Sequence, residues 1–362
     1  MKLRGLAALS ALFLPAGVMT AGVAEAAPKS APQKWKFSTR TNVAGDDSLG
    51  ALAVTGRKSA WAAGGVWQGP PLLYRWNGSA WRRVKLPAHV NHTLEEMDAT
   101  SDKNVWAFGG DYSSVLKSFH WNGKSWKTSV VERGEVYTWD AEVISSKNVW
   151  LSVSEHSGRG QLRNWNGRKW RSMRVPAAGR LYSLSFSSGK SGWAVGTKAS
   201  GGGAVAVRWN GSSWKPTALP RIQMPKGSTL HLGSVLALSS RNVYAVGSYS
   251  WMVDDDEEFR PIVLHWNGSK WRRLTGPKVH SNLSGLTTDG RGGLWMNVGG
   301  DRLANYRAGR WTVTRIPGPA GQHVGLDAMA NVPGTATMLG VGYARPDGPE
   351  PNTQDSVFFT AR

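Results

Sequence analysis

A tryptophan repeat constrains this chain more than any other feature. The triplet Trp-Asn-Gly recurs at Trp76, Trp121, Trp165, Trp209 and Trp266, with Tyr306 in the same phase, at spacings of 45, 44, 44, 57 and 40 residues. A second indole follows five residues later each time, at Trp81, Trp126, Trp170, Trp214, Trp271 and Trp311. A third phase lies upstream, in Ser59-Ala60-Trp61, Asn104-Val105-Trp106, Asn148-Val149-Trp150, Ser191-Gly192-Trp193, Asn242-Val243-Tyr244 and Gly293-Leu294-Trp295. A period of about 40–50 residues with strand-like runs means a propeller or a solenoid. Each unit holds four short runs separated by turn signals, for example residues 234–238, 242–247, 262–266 and 270–274. The Asn-Gly after each Trp fits a hairpin turn, whose central residues need positive φ. Four antiparallel strands per unit make a propeller blade. An open β-solenoid would have parallel strands and would not need a hairpin in every unit.

The ends give the blade count. Six full units cover residues 48–317, and a seventh runs from Leu326-Asp327-Ala328-Met329 to Val357-Phe358-Phe359 without a fourth strand. Near the other end Lys34-Trp35-Lys36-Phe37 matches Lys270-Trp271-Arg272-Arg273. The expectation is an all-β, seven-bladed propeller of four-stranded blades, closed by the N-terminal strand joining the C-terminal blade. Closure of this kind removes the open sheet edge. Residues 1–26 carry Lys2 and Arg4, an apolar run from Leu6 to Leu14, and Ala24-Glu25-Ala26. These are the parts of a secretory signal peptide. Residues 27–362 are then one exported propeller domain, with no apolar stretch long enough to span a membrane.

Composition excludes several chemistries. With no Cys, there is no disulfide framework, thiolate metal site or thiol nucleophile. A chain that is 40% hydrophobic with 20 Trp is not disordered. The net charge of +20 favours acidic partners. Arg82-Arg83, Lys124, Lys127, Arg168-Lys169, Arg171, Lys215, Lys270, Arg272-Arg273 and Arg310 cluster at the Asn-Gly turns and outer strands. There they protect blade edges from strand addition. The alternative is a positive rim that attracts anionic envelope polymers or nucleic acid; edge protection is the preferred reading, and nucleic acid is not an expected partner.

Asn-Val-Trp-Ala-Phe-Gly-Gly at 104–110, followed by His120-Trp121-Asn122-Gly123-Lys124-Ser125-Trp126, resembles the exported Trp-rich propellers of actinobacteria and related bacteria. It is also similar to bacterial seven-bladed propeller lectins. The resemblance covers nearly all of the mature chain, but its motifs are scaffold residues and specify fold better than function. It implies a lectin-like role; one setting of such propellers is the lectin subunit of umbrella toxins, which are secreted antibacterial particles.

Two groups of residues are left over from the scaffold. All Trp except Trp67, Trp139 and Trp251 fall on the repeat phases. The repeat Trp pack blade against blade, or those of the outer strands line clefts between blades that hold sugar rings. The three others map to one face, with Tyr112, Tyr249 and six of the eight His: His89, His92, His156, His231, His280 and His323. Flat indole faces suit the apolar faces of sugars or peptide side chains, or these loops simply fold over themselves. Trp67, Tyr112, Trp139, His231, Tyr249 and Trp251 are the candidate ligand-binding residues. The second group is Glu96, Asp98, Asp140 and Glu142, on inner strands where other blades carry Ala51, Ser183, Ser185, Ser234 and Ala328. Four channel carboxylates could hold a hard cation such as Ca²⁺, act as an acid/base pair, or be hydrated or paired with Arg. No other cofactor is implied.

Catalytic signatures are poor. Gly189-Lys190-Ser191 lacks the glycine of a phosphate-binding loop, and there is no G-x-S-x-G or H-E-x-x-H. The acidic run Asp254-Asp255-Asp256-Glu257-Glu258 sits in a long loop of blade 5 beside Trp251 and lacks EF-hand spacing. The expectation is a secreted, non-catalytic binding module for cell-surface carbohydrate, within or outside a larger antibacterial assembly. The alternatives are a protein–protein platform that docks a partner subunit, or a polysaccharide hydrolase or lyase that uses the channel carboxylates.

Overall fold

In the computed structural model, every strand among the described residues finds its partners inside one of seven four-stranded antiparallel sheets. The structure describes residues 31–362 except 88, 89, 91, 112, 113, 156–159, 200–202 and 349–353. The chain divides into Met1–Pro32 and Gln33–Arg362, and the propeller is the second unit. The leader assigned to residues 1–26, and His89, Tyr112 and His156, lie outside the described residues. Blades 1 to 6 comprise residues 47–83, 94–133, 136–173, 178–216, 229–274 and 284–315, each meandering from the inner strand outward. Blade 7 takes its three inner strands from residues 322–361, and its outermost strand is Trp35–Arg40, in register from Trp35 opposite Ala361 to Arg40 opposite Val357. Lys34 N–H donates to the Arg362 carbonyl at 3.1 Å, so the two ends of the described chain meet.

The joints between blades are built from the repeat indoles. The third-phase Trp of one blade inserts between the paired Trp of the next. Trp150 lies 5.0 Å from Trp209 and 5.5 Å from Trp214, and Trp193 lies 4.9 Å from both Trp266 and Trp271, ring centre to ring centre. Trp61 with Trp121 and Trp126, and Trp106 with Trp165 and Trp170, repeat the arrangement. At the closing blade Trp35 takes the same role against Trp295, edge to face at 5.9 Å. Trp61, Trp106, Trp193 and Trp295 are fully buried. The repeat Trp of the third phase, on the second strands, are therefore packing residues.

The Asn-Gly turns do not have positive φ at both residues. Only the glycine is left-handed, as at Gly123 (φ +90°), while Asn122 Oδ1 accepts the N–H groups of Lys124 and Ser125, each at 2.9 Å. The asparagine acts as a side-chain acceptor in an Asx turn. The four-residue loop then returns the chain so that Trp121 faces Trp126. The preceding Trp is fixed as well, because Trp121 Nε1 donates to the Asp102 carbonyl at 3.1 Å, and Trp165 and Trp209 make the equivalent bond.

One closing residue carries no repeat signature. Gln33 is buried; its amide donates to the Asp289 and Ala336 carbonyls and accepts from Trp295 Nε1 at 3.2 Å. It ties blades 6 and 7 together just before the closing strand begins.

Truncating a joint indole leaves a void that rigid sheets cannot fill. Trp193→Ala is expected to destabilise the fold by about 3–5 kcal/mol. Trp67→Ala, at a side chain that is 77% exposed, is expected to stay within about 0.5 kcal/mol of the parent. Urea unfolding followed by Trp fluorescence measures both.

Candidate functional site

The inner strands carry the site, because a shared irregularity re-aims one side chain in each. The pairing of inner and second strands slips between Leu49 and Ala51, Leu94 and Glu96, Thr138 and Asp140, Leu181 and Ser183, Leu232 and Ser234, and Leu326 and Ala328. The residues inside these bulges are Gly50, Glu95, Trp139, Tyr182, Gly233 and Asp327. A bulge leaves its extra residue unpaired and free to point away from the sheet. Six blades thus present four different side chains and two glycines at one structural position. Two adjacent ones, in blades 3 and 4, are aromatic: Trp139 and Tyr182 meet edge to face at 5.1 Å. Trp139 Nε1 donates to Ser154 Oγ at 2.8 Å, and the Arg180 guanidinium lies 5.8 Å from the Trp139 ring centre.

Beside this pair opens a cleft of about 1100 Å³. One wall is the outer half of blade 3, including Gln161 and Met173, and the other is the start of blade 4, including Tyr182 and Lys198. The connection between blades, residues 174–177, also lines the cleft. Pro176 cannot donate to a ladder, and Ala177 turns the chain with φ +64°, a left-handed conformation held by its carbonyl accepting from Ala199 N–H at 3.2 Å. Gly160 permits the close approach of the two blades: a Cβ there would stand 2.0 Å from the Gly179 carbonyl oxygen.

The other candidate residues are distributed over separate blades. Trp67 stands exposed on the turn after the second strand of blade 1, beside a shallow recess of about 410 Å³ that includes Asp46 and Thr93. Trp251, Tyr249 and His231 come together in blade 5. Trp251 stacks on Tyr249 at 5.7 Å, and Arg260 covers it at 5.1 Å. His231 is half-buried on the neighbouring inner strand, and burial pushes its pKa below the ordinary histidine value against opposing pulls from Asn282 and Glu257. No ring contact joins Trp67, Trp139 and Trp251 among the described residues; they stand on blades 1, 3 and 5.

The acidic stretch of blade 5 is a hairpin, not a loop. Strands Asn242–Val253 and Asp256–Trp266 pair throughout, from Val243 opposite Trp266 to Val253 opposite Asp256, around a turn with Asp254 at φ +54°. These strands have 12 and 11 residues, against 8 and 6 in blade 4, so the tip projects beyond its neighbour. Met252 and Val253 at the tip are 60% and 45% exposed, next to the acids 254–257. Glu258 is bound by Arg260 at 3.1 Å and lies 4.0 Å from His280.

The channel carboxylates have a structural task. Asp98 Oδ2 accepts from Val143 N–H at 2.6 Å, Asp140 Oδ2 from Leu184 N–H at 2.7 Å, and Glu142 Oε1 from Phe186 N–H at 3.2 Å. In the next blades Ser183, Ser185 and Ser234 do the same for Val235, Ala237 and Leu286 at 3.0–3.2 Å. The inner strands of blades 2 to 5 therefore each lend side-chain acceptors to the backbone of the following one. Glu96 makes no hydrogen bond among the described residues. No group of three or more His, Asp or Glu among the described residues is arranged to hold a metal ion, so the Ca²⁺ expectation loses its geometric basis.

Burial raises the pKa values of these acids. Burial pushes Asp98 up to about 7, against the pull of the Val143 and Ala99 amides and with a further push from Asp140. Burial likewise takes Asp140 to about 6, and drives Glu96 and Glu142 well above the usual carboxylate range. A carboxylate with a raised native pKa stabilises the fold fully only below its unfolded value of about 4; that stability is lost as pH rises through the native value. Thermal stability should therefore fall between about pH 4 and pH 7. Asp98→Asn with Glu142→Gln keeps an oxygen acceptor at each site. The double variant is expected to match the parent near pH 4 and melt higher at pH 8, which calorimetry across that range measures.

No model of a known protein family matches the chain, and no curated protein matches it either. Solved structures do match. A structure titled "YCF48 bound to D1 peptide" superposes with a TM-score of 0.58 at 12% identity, covering 92% of this chain and 96% of that one. YCF48 from Cyanidioschyzon merolae superposes with a TM-score of 0.57 at 13% identity, covering 91% and 99%. At such identity the likeness establishes the fold: this chain is a seven-bladed β-propeller over nearly its whole length. A propeller of this kind is suited to be a binding or interaction platform.

Three features of the site were not among the sequence candidates. Tyr182 is the partner of Trp139, and the two stand at the same distance, eleven residues, before Trp193 and Trp150. Alignment of the inner strands at that position, rather than at ten and eight, would have found it. Arg180 and the cleft beside it depend on how two blades abut, for which the repeat carries no signal.

Proposed function

We propose that this protein is an exported, non-catalytic binding module that recognises carbohydrate on cell surfaces through the aromatic corner between blades 3 and 4. The observation that carries this reading is the Trp139–Tyr182 pair standing beside a cleft of about 1100 Å³. Aromatic faces stack on the apolar faces of sugar rings, and a cleft of this volume accommodates several ring-sized units. Two aromatics at one bulge position in adjacent blades form a rigid pair without the entropy cost of ordering loops. The non-catalytic reading is supported by the channel acids, three of which accept backbone hydrogen bonds across blades. Arrays of envelope glycans at physiological salt test it. The parent should bind selectively, Trp139→Ala/Tyr182→Ala should lose at least about tenfold in affinity, and Trp67→Ala should bind as the parent does. A folded parent that binds no glycan would overturn the reading.

A second reading is favoured by the blade-5 hairpin. Its projecting tip combines exposed Met252 and Val253 with four acids, a composition suited to docking a protein subunit. The YCF48 structure with its D1 peptide supplies a precedent for a polypeptide held by a propeller of this shape. The two readings are compatible in a lectin-like subunit of a larger secreted assembly, such as an umbrella toxin particle. Met252→Ser/Val253→Ser is expected to leave the melting temperature and glycan binding unchanged. The same variant should abolish co-purification of a stoichiometric partner from the native source.

A further inference from the structure

We propose that the cleft between blades 3 and 4 takes an anionic carbohydrate, a sugar polymer that bears carboxylate or phosphodiester groups. The inference rests on the carbohydrate reading above and names its ligand class. None of the described residues that line the cleft is acidic, and three of them are cationic: Arg174, Arg180 and Lys198. None of the three forms an ion pair among the described residues, although other arginines of the chain do so where an acid is near, as Arg260 does with Glu258 and Arg40 with Asp355. The carboxylate of Glu155, close by, accepts from the amide of the lining residue Gln161.

The three cations are held by different means. Arg180 is half-buried and lies against the Trp139 ring. Stacking of a planar guanidinium on an indole leaves its in-plane N–H donors free for a carboxylate or phosphate. Lys198 is exposed; its N–H donates to Gly203 and its carbonyl lies against Gly179. Arg174 is exposed on the connection that leads into the left-handed Ala177. Such a conformation is strained in a residue without a hydrogen-bonding side chain and concentrates at ligand-binding sites. An acidic sugar would place its ring on Tyr182 and its charge between Arg180 and Arg174.

General attraction to a chain of net charge +20 must be separated from recognition in the cleft. The test therefore uses two variants of equal charge change in the full propeller. One is Arg174→Gln/Arg180→Gln/Lys198→Gln in the cleft. The other is Arg82→Gln/Arg272→Gln/Arg273→Gln on the exposed outer strands. Each is titrated with oligogalacturonate, with glycerol-phosphate oligomers and with a neutral galactan, and the melting temperature confirms folding.

Binding of either acidic probe, reduced at least about tenfold by the cleft variant and little by the outer one, supports the proposal and identifies the charged group. Equal losses in the two variants would overturn it in favour of general electrostatics. Galactan binding that matches acidic binding and survives the cleft variant would overturn the anionic proposal while leaving the carbohydrate reading intact. Absence of binding to all three probes, together with glycan-array binding elsewhere, would do the same. Absence on the array as well would remove both.

Discussion

Insertion of one indole between two others at successive blade joints is the interaction on which this structure depends. The chain has no cysteine, so its ring closes without disulfides, by packing, strand pairing and hydrogen bonds between blades. A Trp buries roughly 150–250 Å² and tolerates edge-to-face contacts that fix the angle between neighbours. The repeat supplies such a contact at joint after joint, and where an indole is missing another aromatic or aliphatic group fills the place. Tyr244, Tyr306 and Trp311 pack against one apolar cluster between blades 5 and 6. Leu339 belongs to the cluster that Trp76 covers between blades 7 and 1, where Phe358 also stacks on Trp81 at 4.7 Å. The closing strand brings Trp35 into the same role.

A scaffold with such uniform joints is free to vary where the joints do not reach. The inner-strand bulges are one such place, since each delivers a side chain that no strand partner constrains. The glycines of blades 1 and 5 leave the position empty, whereas blades 3 and 4 fill it with an aromatic pair. The hairpin of blade 5 is another, because added residues at a strand end lengthen a ladder without disturbing the joint beneath it. The channel shows the opposite limit. Its carboxylates perform the same bridging as the serines of the next blades, with charge added that raises their pKa values. An unusual residue type in a repeat position is thus not in itself a sign of chemistry.

The fold was legible in the sequence because its determinants are periodic. The phase of each Trp, the glycine of each turn and the stray Trp35 sufficed to give the blade number and the mode of closure. The site was legible only in part. Trp139 stood out as an indole outside the repeat, but its partner Tyr182 did not, since a single tyrosine in a strand has no distinguishing pattern. Trp67 and Trp251 stood out for the same reason as Trp139, yet they lie on different blades and make no ring contact with it. The acidic run of blade 5 reads as a loop because its polarity masks a ladder that only cross-strand pairing maintains. Gln33 was invisible, as its bonds reach residues more than 250 positions away.

The sequence by itself determined the all-β class, the seven blades and the closure by the first strand, because each follows from a local pattern repeated at a fixed interval. Only the tertiary structure decided which unusual residues work together. A propeller places residues of successive blades side by side although they are some 45 positions apart in the chain, and the width of the space between two blades depends on how closely their backbones approach. That approach is set by contacts such as Gly160 on Gly179. No local pattern encodes such a distance, and it is what opens the cleft beside Trp139, Arg180 and Tyr182.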